Sequence, residues 1–295
     1  MQFDDMRETA TREAYHQSRN LSLQPFFSWD AVLSAYRLIS ERFGVMILLA
    51  ILLVVPNLIL NLVQTAILPE MADIYKTLSE KETFEEVFQE YMAFSQSIPT
   101  EKAFLLSGCN ILVSLADVFL LIGGIRLFNA YGRNQKAAFW LVFSGFDSPL
   151  RVLIACFLLL VLFMAFGVVA SFIFIAMAMA GLSFFAVFLF FMLLIFFMVY
   201  LFFVFPLIAD SNVSATKAFQ LSYLIAKRNL SALFGTISLL FLISMLIGFF
   251  TMAVFGGFLS SGYVSLISQA LYTPILLGVI SSAYLKATGQ FRRYQ

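Results

Sequence analysis

Long apolar runs separated by polar connections dominate the chain. A helix that crosses a bilayer needs about 20 predominantly apolar residues. Six runs reach that length, at residues 43–67, 104–128, 150–177, 183–205, 230–255 and 263–285. The pattern predicts an all-α integral membrane protein in which residues 43–295 form a membrane domain with six transmembrane helices.

The composition agrees with this pattern. Of the 295 residues, 61% are hydrophobic and 12% are charged, whereas a soluble domain carries about 25% charged residues. The formal net charge is +1, so the chain lacks the concentrated basic surface that binding to nucleic acid requires. We therefore expect membrane lipids, or another membrane or envelope protein, as partners.

Basic residues are distributed unequally between the two ends of the predicted spans. All but three of the 18 basic residues fall on one side, the exceptions being Lys76, Lys81 and Lys102. Connections rich in Lys and Arg stay in the cytoplasm. The distribution predicts that both termini are cytoplasmic and that residues 1–42 form a cytoplasmic arm with a helix in the membrane interface.

The connection at residues 69–103 is long and lies on the predicted external side. It holds eight of the 17 acidic residues. Apolar residues such as Met71, Ile74 and Leu78 recur at helical spacing with acids opposite, which predicts an external amphipathic helical segment. Two interpretations are open: an acidic cap or partner surface over the membrane domain, or two helices that rest on the lipid headgroups.

Three segments on the predicted cytoplasmic side resemble one another. They read "AVLSAYRLISERF" from Ala31, "AFWLVFSGFDSPL" from Ala138 and "AFQLSYLIAKRNL" from Ala218. Each has an aromatic residue five positions after its first Ala and reaches a membrane span twelve positions after it. This layout predicts three units, each an interfacial helix (an elbow) followed by a membrane hairpin. The units arose by triplication or by convergence on a common interfacial composition.

The third segment, with the residues before it, resembles a signature of the YciC-like bacterial inner-membrane proteins and of the related membrane domains of some glycerophosphodiester phosphodiesterases. The stretch is "FPLIADSNVSATKAFQLSYLIAKRN", and the matching positions are Pro206, Asp210, Ala218, Ser222 and Asn229. The resemblance implies a multi-pass protein of the bacterial inner membrane with a role in envelope and membrane-lipid homeostasis. Nothing in the chain resembles the soluble phosphodiesterase domain.

Local chemistry also favours structural roles for this signature. We expect Asp210 or Ser211 to cap the helix that follows by accepting hydrogen bonds from its free N–H groups. Ala218 and Ser222 are four residues apart, so they place a small face against the bundle, where close backbone approach stabilises helix packing.

Polar residues line one face of each of the first two spans. On the second span they are Ser107, Asn110, Ser114 and Asp117, and on the first they are Asn57, Asn61 and Gln64. From the rise of about 1.5 Å per residue, counted from Arg42 and Arg126, we expect Asn57 to lie level with Asn110 and Ser114. On the same count, Asp117 lies lower, in the cytoplasmic half of the membrane.

Asp117 invites two interpretations, because an acid at bilayer depth costs about 3 kcal/mol on insertion scales. We expect it to be protonated, hydrogen-bonded or hydrated. The stripes form either a polar path, headgroup site or proton site, or a set of interhelical hydrogen bonds worth about 0.6 kcal/mol each. Residues Ser265, Gln269 and Thr273 of the last span are placed to close such a cavity.

The chain lacks the residues that catalysis in a membrane needs. It has one histidine, His16, outside the spans and one acid within them. The spans therefore lack a nucleophile with a base, a metal cluster and paired carboxylates at one depth. We therefore expect no catalytic residues, no metal and no cofactor. Two hypotheses follow: a non-enzymatic protein that binds lipid or a membrane partner, or a small transporter or channel with a polar path at Asp117.

Overall fold

The computed structural model shows a chain built from helices. The described residues are 24–68, 86, 89, 93–94, 96–179, 181–210, 213–256 and 261–291. Predictions for residues 1–23, for Ser211 and for most of the segment 69–103 lie outside the described residues. In the described part every element is helical, and six helical spans are long and apolar enough to cross a membrane. The predicted fold class, an all-α multi-pass membrane protein, is confirmed.

The described helices follow the predicted spans. They are α1 Ser28–Glu41, α2 Phe43–Ile67, α3 Thr100–Gly132, a 3-10 helix Phe139–Asp147, α4 Pro149–Met179, α5 Ser183–Leu201, α6 Val204–Asp210, α7 Ala215–Arg228, α8 Leu230–Phe255 and α9 Ser261–Ala287. Helix α3 extends four residues further at each end than the apolar run 104–128. The extension past Arg126 is possible because this side chain has hydrogen-bond partners inside the protein.

The helices form three elbow–hairpin units that contact one another in cyclic order. The units are α1 with α2 and α3, the 3-10 helix with α4 and α5–α6, and α7 with α8 and α9. Each elbow packs on the second helix of the preceding hairpin: the 3-10 helix on α3, α7 on α5 and α6, and α1 on α9. We call the end of the bundle that carries the three elbows the elbow face.

The elbows share a pattern of burial. The fourth residue after the first Ala is buried in each elbow, and so is the seventh: Ala35, Val142 and Ser222, then Leu38, Gly145 and Ile225. The aromatic residue at the fifth position is exposed in each: Tyr36, Phe143 and Tyr223. The three elbows therefore use equivalent positions to contact the bundle, as the repeated layout predicts.

The second elbow differs from the other two because it packs on α3 at backbone distance. It is a 3-10 helix, and its Ala138 is exposed whereas Ala31 and Ala218 are fully buried. A β-carbon on Gly123 of α3 would overlap the carbonyl of Val142, and one on Gly145 would overlap the carbonyl of Phe119. Gly123 and Gly145 thus permit direct backbone contact between the second elbow and α3, because a side chain at either position would overlap a carbonyl group.

Helices α3, α6 and α9 form the centre of the bundle. In α3 and α9, 44% and 33% of the apolar window is buried, against 17% in α2 and 11% in α4 and α8. The fourth span is 18% buried, and five of the seven residues of its last part, α6, are buried. Helix α6 contacts both α3 and α9. The first helices therefore lie outside, where apolar side chains such as Phe157 and Phe241 are exposed to the surroundings.

The fourth span is interrupted before Pro206. The run 183–205 predicts one continuous helix, but α5 ends at Leu201 and α6 begins at Val204. Ser222 of α7 stabilises the interruption: its Oγ donates to the carbonyl of Tyr200 at 2.7 Å and accepts from the N–H of Phe203 at 3.2 Å. Pro206 then lies in the first turn of α6, where its missing N–H removes no helical hydrogen bond.

Candidate functional site

The polar stripes of α2 and α3 meet in a single antiparallel register. Asn57 Nδ2 donates to Asp117 Oδ2 at 2.7 Å. Gln64 Nε2 lies 3.5 Å from Asn110 Oδ1, at the long limit for a hydrogen bond. The two pairs are seven residues apart on each helix, so one register accounts for both. We call the residues Asn57, Asn61, Gln64, Ser107, Asn110, Ser114 and Asp117 the polar seam.

The observed register differs from the predicted one, in which Asn57 lies level with Asn110 and Ser114. That prediction is wrong because it placed Arg42 and Arg126 at the same depth. The guanidinium of Arg42 instead lies over the ring of Tyr131, 4.2 Å from its centroid. Tyr131 is five residues beyond Arg126, a distance of about 7.5 Å along the helix, and this offset brings Asn57 level with Asp117.

The register places the Asn57–Asp117 pair near the middle of the first hairpin. Asn57 is the fifteenth of the 25 residues of α2, counted from the elbow face. Asp117 itself is the sixteenth of the 33 residues of α3, counted from the same end, so it lies near the middle of the hairpin, and its depth in the membrane stays a prediction. From Asp117 the seam continues through Ser114 and Asn110 toward the end of the bundle opposite the elbow face.

Asp117 is only partly satisfied. It is half-buried, and its Oδ2 accepts the hydrogen bond from Asn57. Its Oδ1 is buried and has no hydrogen-bond partner in the described part of the chain. One carboxyl oxygen thus has no donor among the described residues.

The outer part of the seam is open at the surface of the bundle. Ser107, Asn110 and Ser114 are all exposed. Ser107 Oγ donates to the carbonyl of Ala103 at 2.8 Å and Asn110 Nδ2 to that of Leu106 at 2.9 Å, both within α3. Their acceptor oxygens remain accessible to a polar group that approaches from the side.

The start of α9 borders the seam through a glycine. A β-carbon on Gly262 would lie 3.0 Å from Asn61 Nδ2. Of the residues of α9 expected to close the seam, Ser265 is exposed, and Thr273 Oγ1 donates to the carbonyl of Gln269 at 2.7 Å within α9. Sequence reasoning missed Gly262, since a glycine carries no polar signal.

Asp210 does not cap the helix that follows it, contrary to the prediction. Its Oδ2 accepts from Arg133 Nη2 at 2.5 Å and from the hydroxyl of Tyr284 at 2.9 Å. The cap of α7 is Ser214, whose Oγ accepts from the N–H of Lys217 at 3.4 Å. Asp210 pairs with Arg133 and not with the N–H groups of α7, because a largely buried cation needs a counter-charge.

Arg126 of α3 and Arg133, which follows the last residue of α3, extend this network at the elbow face. Arg133 Nε donates to Gln290 Oε1 at 3.0 Å. Arg126 Nε donates to the carbonyl of Ala209 at 2.8 Å, and its Nη1 donates to the carbonyl of Ser144. The network therefore links α3, α6, the second elbow and the C-terminal turn after α9.

The other signature residues have structural surroundings. Ala218 is fully buried on α7, and Ser222 holds the interruption between α5 and α6. Asn229, between α7 and α8, donates through Nδ2 to the carbonyl of Ile225 at 3.1 Å. Ser222, Asn229 and the helix interruption thus determine how the third elbow is attached to the bundle.

The chemistry of the seam is hydrogen bonding around one carboxyl group. Among the described residues, no three His, Cys, Asp or Glu side chains are close enough to hold a metal ion. Carboxyl, amide and hydroxyl oxygens suit ligands with hydroxyl or ammonium donors. The seam offers such oxygens along one side of the first hairpin.

The six spans and their polar seam define a multi-pass α-helical membrane protein. No protein-family model, no curated protein and no solved structure matches the chain.

Proposed function

We propose that the chain is a non-enzymatic multi-pass protein of the bacterial cytoplasmic membrane, with both termini in the cytoplasm, that binds a lipid headgroup at the polar seam. The observation that carries this proposal is the half-satisfied carboxyl group of Asp117, which lies at the inner end of an exposed row of polar side chains. The resemblance to the YciC-like proteins adds a role in envelope and membrane-lipid homeostasis.

The energies favour ligand binding over interhelical hydrogen bonding as the explanation for the presence of Asp117 in a span. An acid deep in the membrane costs about 3 kcal/mol, whereas one hydrogen bond between membrane helices contributes about 0.6 kcal/mol. The single bond from Asn57 does not offset that cost. A ligand that donates to Oδ1 would supply a further interaction in a site with little water.

Lateral access favours a lipid as this ligand. Ser107, Asn110 and Ser114 are exposed on the side of the bundle, and apolar neighbours such as Ile111 and Leu112 are 61% and 68% exposed. A lipid from the leaflet opposite the elbow face would keep its chains against these apolar residues. Its headgroup donors would follow the polar oxygens toward Asp117.

The experiment is native mass spectrometry of the gently extracted protein, in which wild type is compared with Asp117→Asn. We expect the wild type to carry one co-purifying lipid more per protein than the variant. The matched control is Asp147→Asn, because Asp147 is 72% exposed at the elbow face and lies away from the seam. Equal lipid in all three proteins, or a bound protein subunit in place of lipid, would contradict the proposal.

A small transporter or channel is the second candidate. It is favoured by the unpartnered Oδ1 of Asp117, which could exchange a proton or bind a cation. Purified protein in vesicles with a trapped pH indicator provides the test. Proton flux in the wild type that is abolished in Asp117→Asn would favour transport over lipid binding.

A further inference from the structure

A cavity of about 670 Å³ opens at the elbow face, on the other side of the membrane domain from the polar seam. It lies between α1, the residues just before it and the turn that follows α9. The N–H of Gln24 donates to the carbonyl of Ala287 at 2.9 Å, which attaches residues 24–27 to the end of α9. The volume is within the range of sites for small ligands.

One wall of the cavity carries charges of both signs. Asp30, Arg37 and Glu41 line it from α1, and their spacing of seven and four residues places them on one helix face. Lys286 lines it from the end of α9, where its Nζ donates to the carbonyl of Asp30 at 2.9 Å. Two cations and two carboxylates thus surround one space.

Among the described residues, the carboxylates of the cavity and Arg37 have no ion-pair partner. Arg37 and Glu41 are four residues apart and exposed, yet they form no ion pair with each other or with another described residue. The backbone carbonyl of Asp30, not its carboxylate, accepts from Lys286. A guanidinium prefers phosphate and a carboxylate prefers an ammonium group with N–H donors. Side by side, the two match a zwitterion.

Apart from Gln24 and Ser34, the rest of the lining consists of apolar residues and glycines. Phe26, Phe27 and Leu33 line the cavity, and Phe27 is 77% exposed. Next to them, Trp29 and Tyr36 are 59% and 68% exposed on α1. Aromatic residues in such a row lie at the level of the lipid headgroups, so a ligand in this cavity can keep its acyl chains in the adjacent leaflet.

We propose that the cavity at the elbow face binds the phosphoethanolamine headgroup of a lipid from the adjacent leaflet. Arg37 and Lys286 contact the phosphate, and Asp30 and Glu41 accept hydrogen bonds from the ammonium group. This site does not depend on the polar seam, because the two sites share no residue and lie toward opposite ends of the bundle.

The test uses the full chain in nanodiscs that contain equal amounts of dioleoylphosphatidylethanolamine and dioleoylphosphatidylcholine. After extraction, native mass spectrometry measures which lipid remains bound. Wild type should retain phosphatidylethanolamine preferentially. Arg37→Gln should lower its retention about tenfold, as the loss of one charge-assisted hydrogen bond predicts. The matched control is Lys227→Gln, an exposed cation on α7 outside the cavity, which should retain the lipid.

A second variant separates the two halves of the headgroup. Glu41→Gln should lose the preference for phosphatidylethanolamine over phosphatidylcholine, whose quaternary ammonium has no N–H donor, while it still retains lipid through Arg37. The Asp117→Asn variant should retain this lipid, so that failure at the seam and failure at the cavity give different results. Equal retention of the two lipids by wild type, or wild-type retention in Arg37→Gln and Glu41→Gln, would overturn the proposal.

A soluble competitor distinguishes a lipid from a free metabolite with the same headgroup. Glycerophosphoethanolamine lacks acyl chains and therefore cannot use Phe27 and Leu33 or the adjacent leaflet. We expect it not to displace the bound lipid at equal concentration. Displacement would exclude a lipid as the natural ligand of the cavity.

Discussion

Two aspartates of the membrane domain have opposite surroundings. Asp210 lies at the elbow face, where Arg133 and Tyr284 both donate to its carboxylate. Asp117 lies near the middle of the first hairpin, where Asn57 is its one donor among the described residues and its other carboxyl oxygen is buried without a partner there. Asp210, whose carboxylate has two donors, stabilises the packing of the helices. Asp117 has one donor and leaves one carboxyl oxygen for a ligand.

The chain context explains the difference. Asp210 ends α6 near the C-terminal ends of α3 and α9, and C-terminal helix ends attract cations. Arg133 and Arg126 satisfy that requirement, and Asp210 balances their charge. The seam has no cation among its residues, so nothing within it neutralises Asp117.

The largest expected effect is that of Asp210→Asn. The amide leaves the guanidinium of Arg133 in a largely buried position without its counter-charge, since the side chains of Arg133 and Asp210 are 23% and 11% exposed. Breaking a buried pair by removing one partner costs about 3 kcal/mol. We expect the free energy of unfolding to fall by about that amount, measured by denaturant titration of the purified protein in mild detergent. A change below about 1 kcal/mol would show that Asp210 is not structural.

A smaller effect is expected for Asp117→Asn. The amide retains a hydrogen bond to Asn57 and removes an acid from the membrane interior, so the two changes oppose each other. The free energy of unfolding in the same titration should change by less than about 1 kcal/mol. A loss as large as that of Asp210→Asn would make Asp117 a structural residue and remove the basis of the comparison.

The smallest effect is expected for Asp147→Asn. Asp147 is 72% exposed and lies 3.7 Å from Arg126, whose guanidinium also donates to two backbone carbonyls. Exposed ion pairs contribute little, so unfolding should be unchanged within about 0.5 kcal/mol. A larger loss would mean that any charge at the elbow face contributes to the free energy of unfolding. The difference between Asp210 and Asp117 would then not depend on their hydrogen-bond partners.

The spans could be predicted from the sequence because apolar length alone determines them. The runs 43–67 and 230–255 coincide with α2 and α8. The pairing of the two polar stripes could also be predicted, but its register could not. The predicted register assumes that Arg42 and Arg126 lie at the same depth. A long basic side chain such as Arg126 can instead lie inside the bundle when backbone carbonyls accept its hydrogen bonds.

Contacts between distant segments set the remaining features. A capping role for Asp210 follows from local sequence, and only the fold brings Arg133 and Tyr284 to it. The 3-10 form of the second elbow depends on Gly123 and Gly145, which permit backbone contact between segments that are separate in the chain. The cavity at the elbow face likewise needs the approach of α1 to the end of α9.

The cyclic order of the elbows has a consequence for synthesis of the protein. A chain emerges from the ribosome with its N-terminus first, yet α1 packs on α9, the last of the described helices. The contact between α1 and α9 therefore cannot form until the five spans that follow α2 have been synthesised. The hydrogen bond from Gln24 to Ala287, and the cavity beside it, form only after α9 has been synthesised.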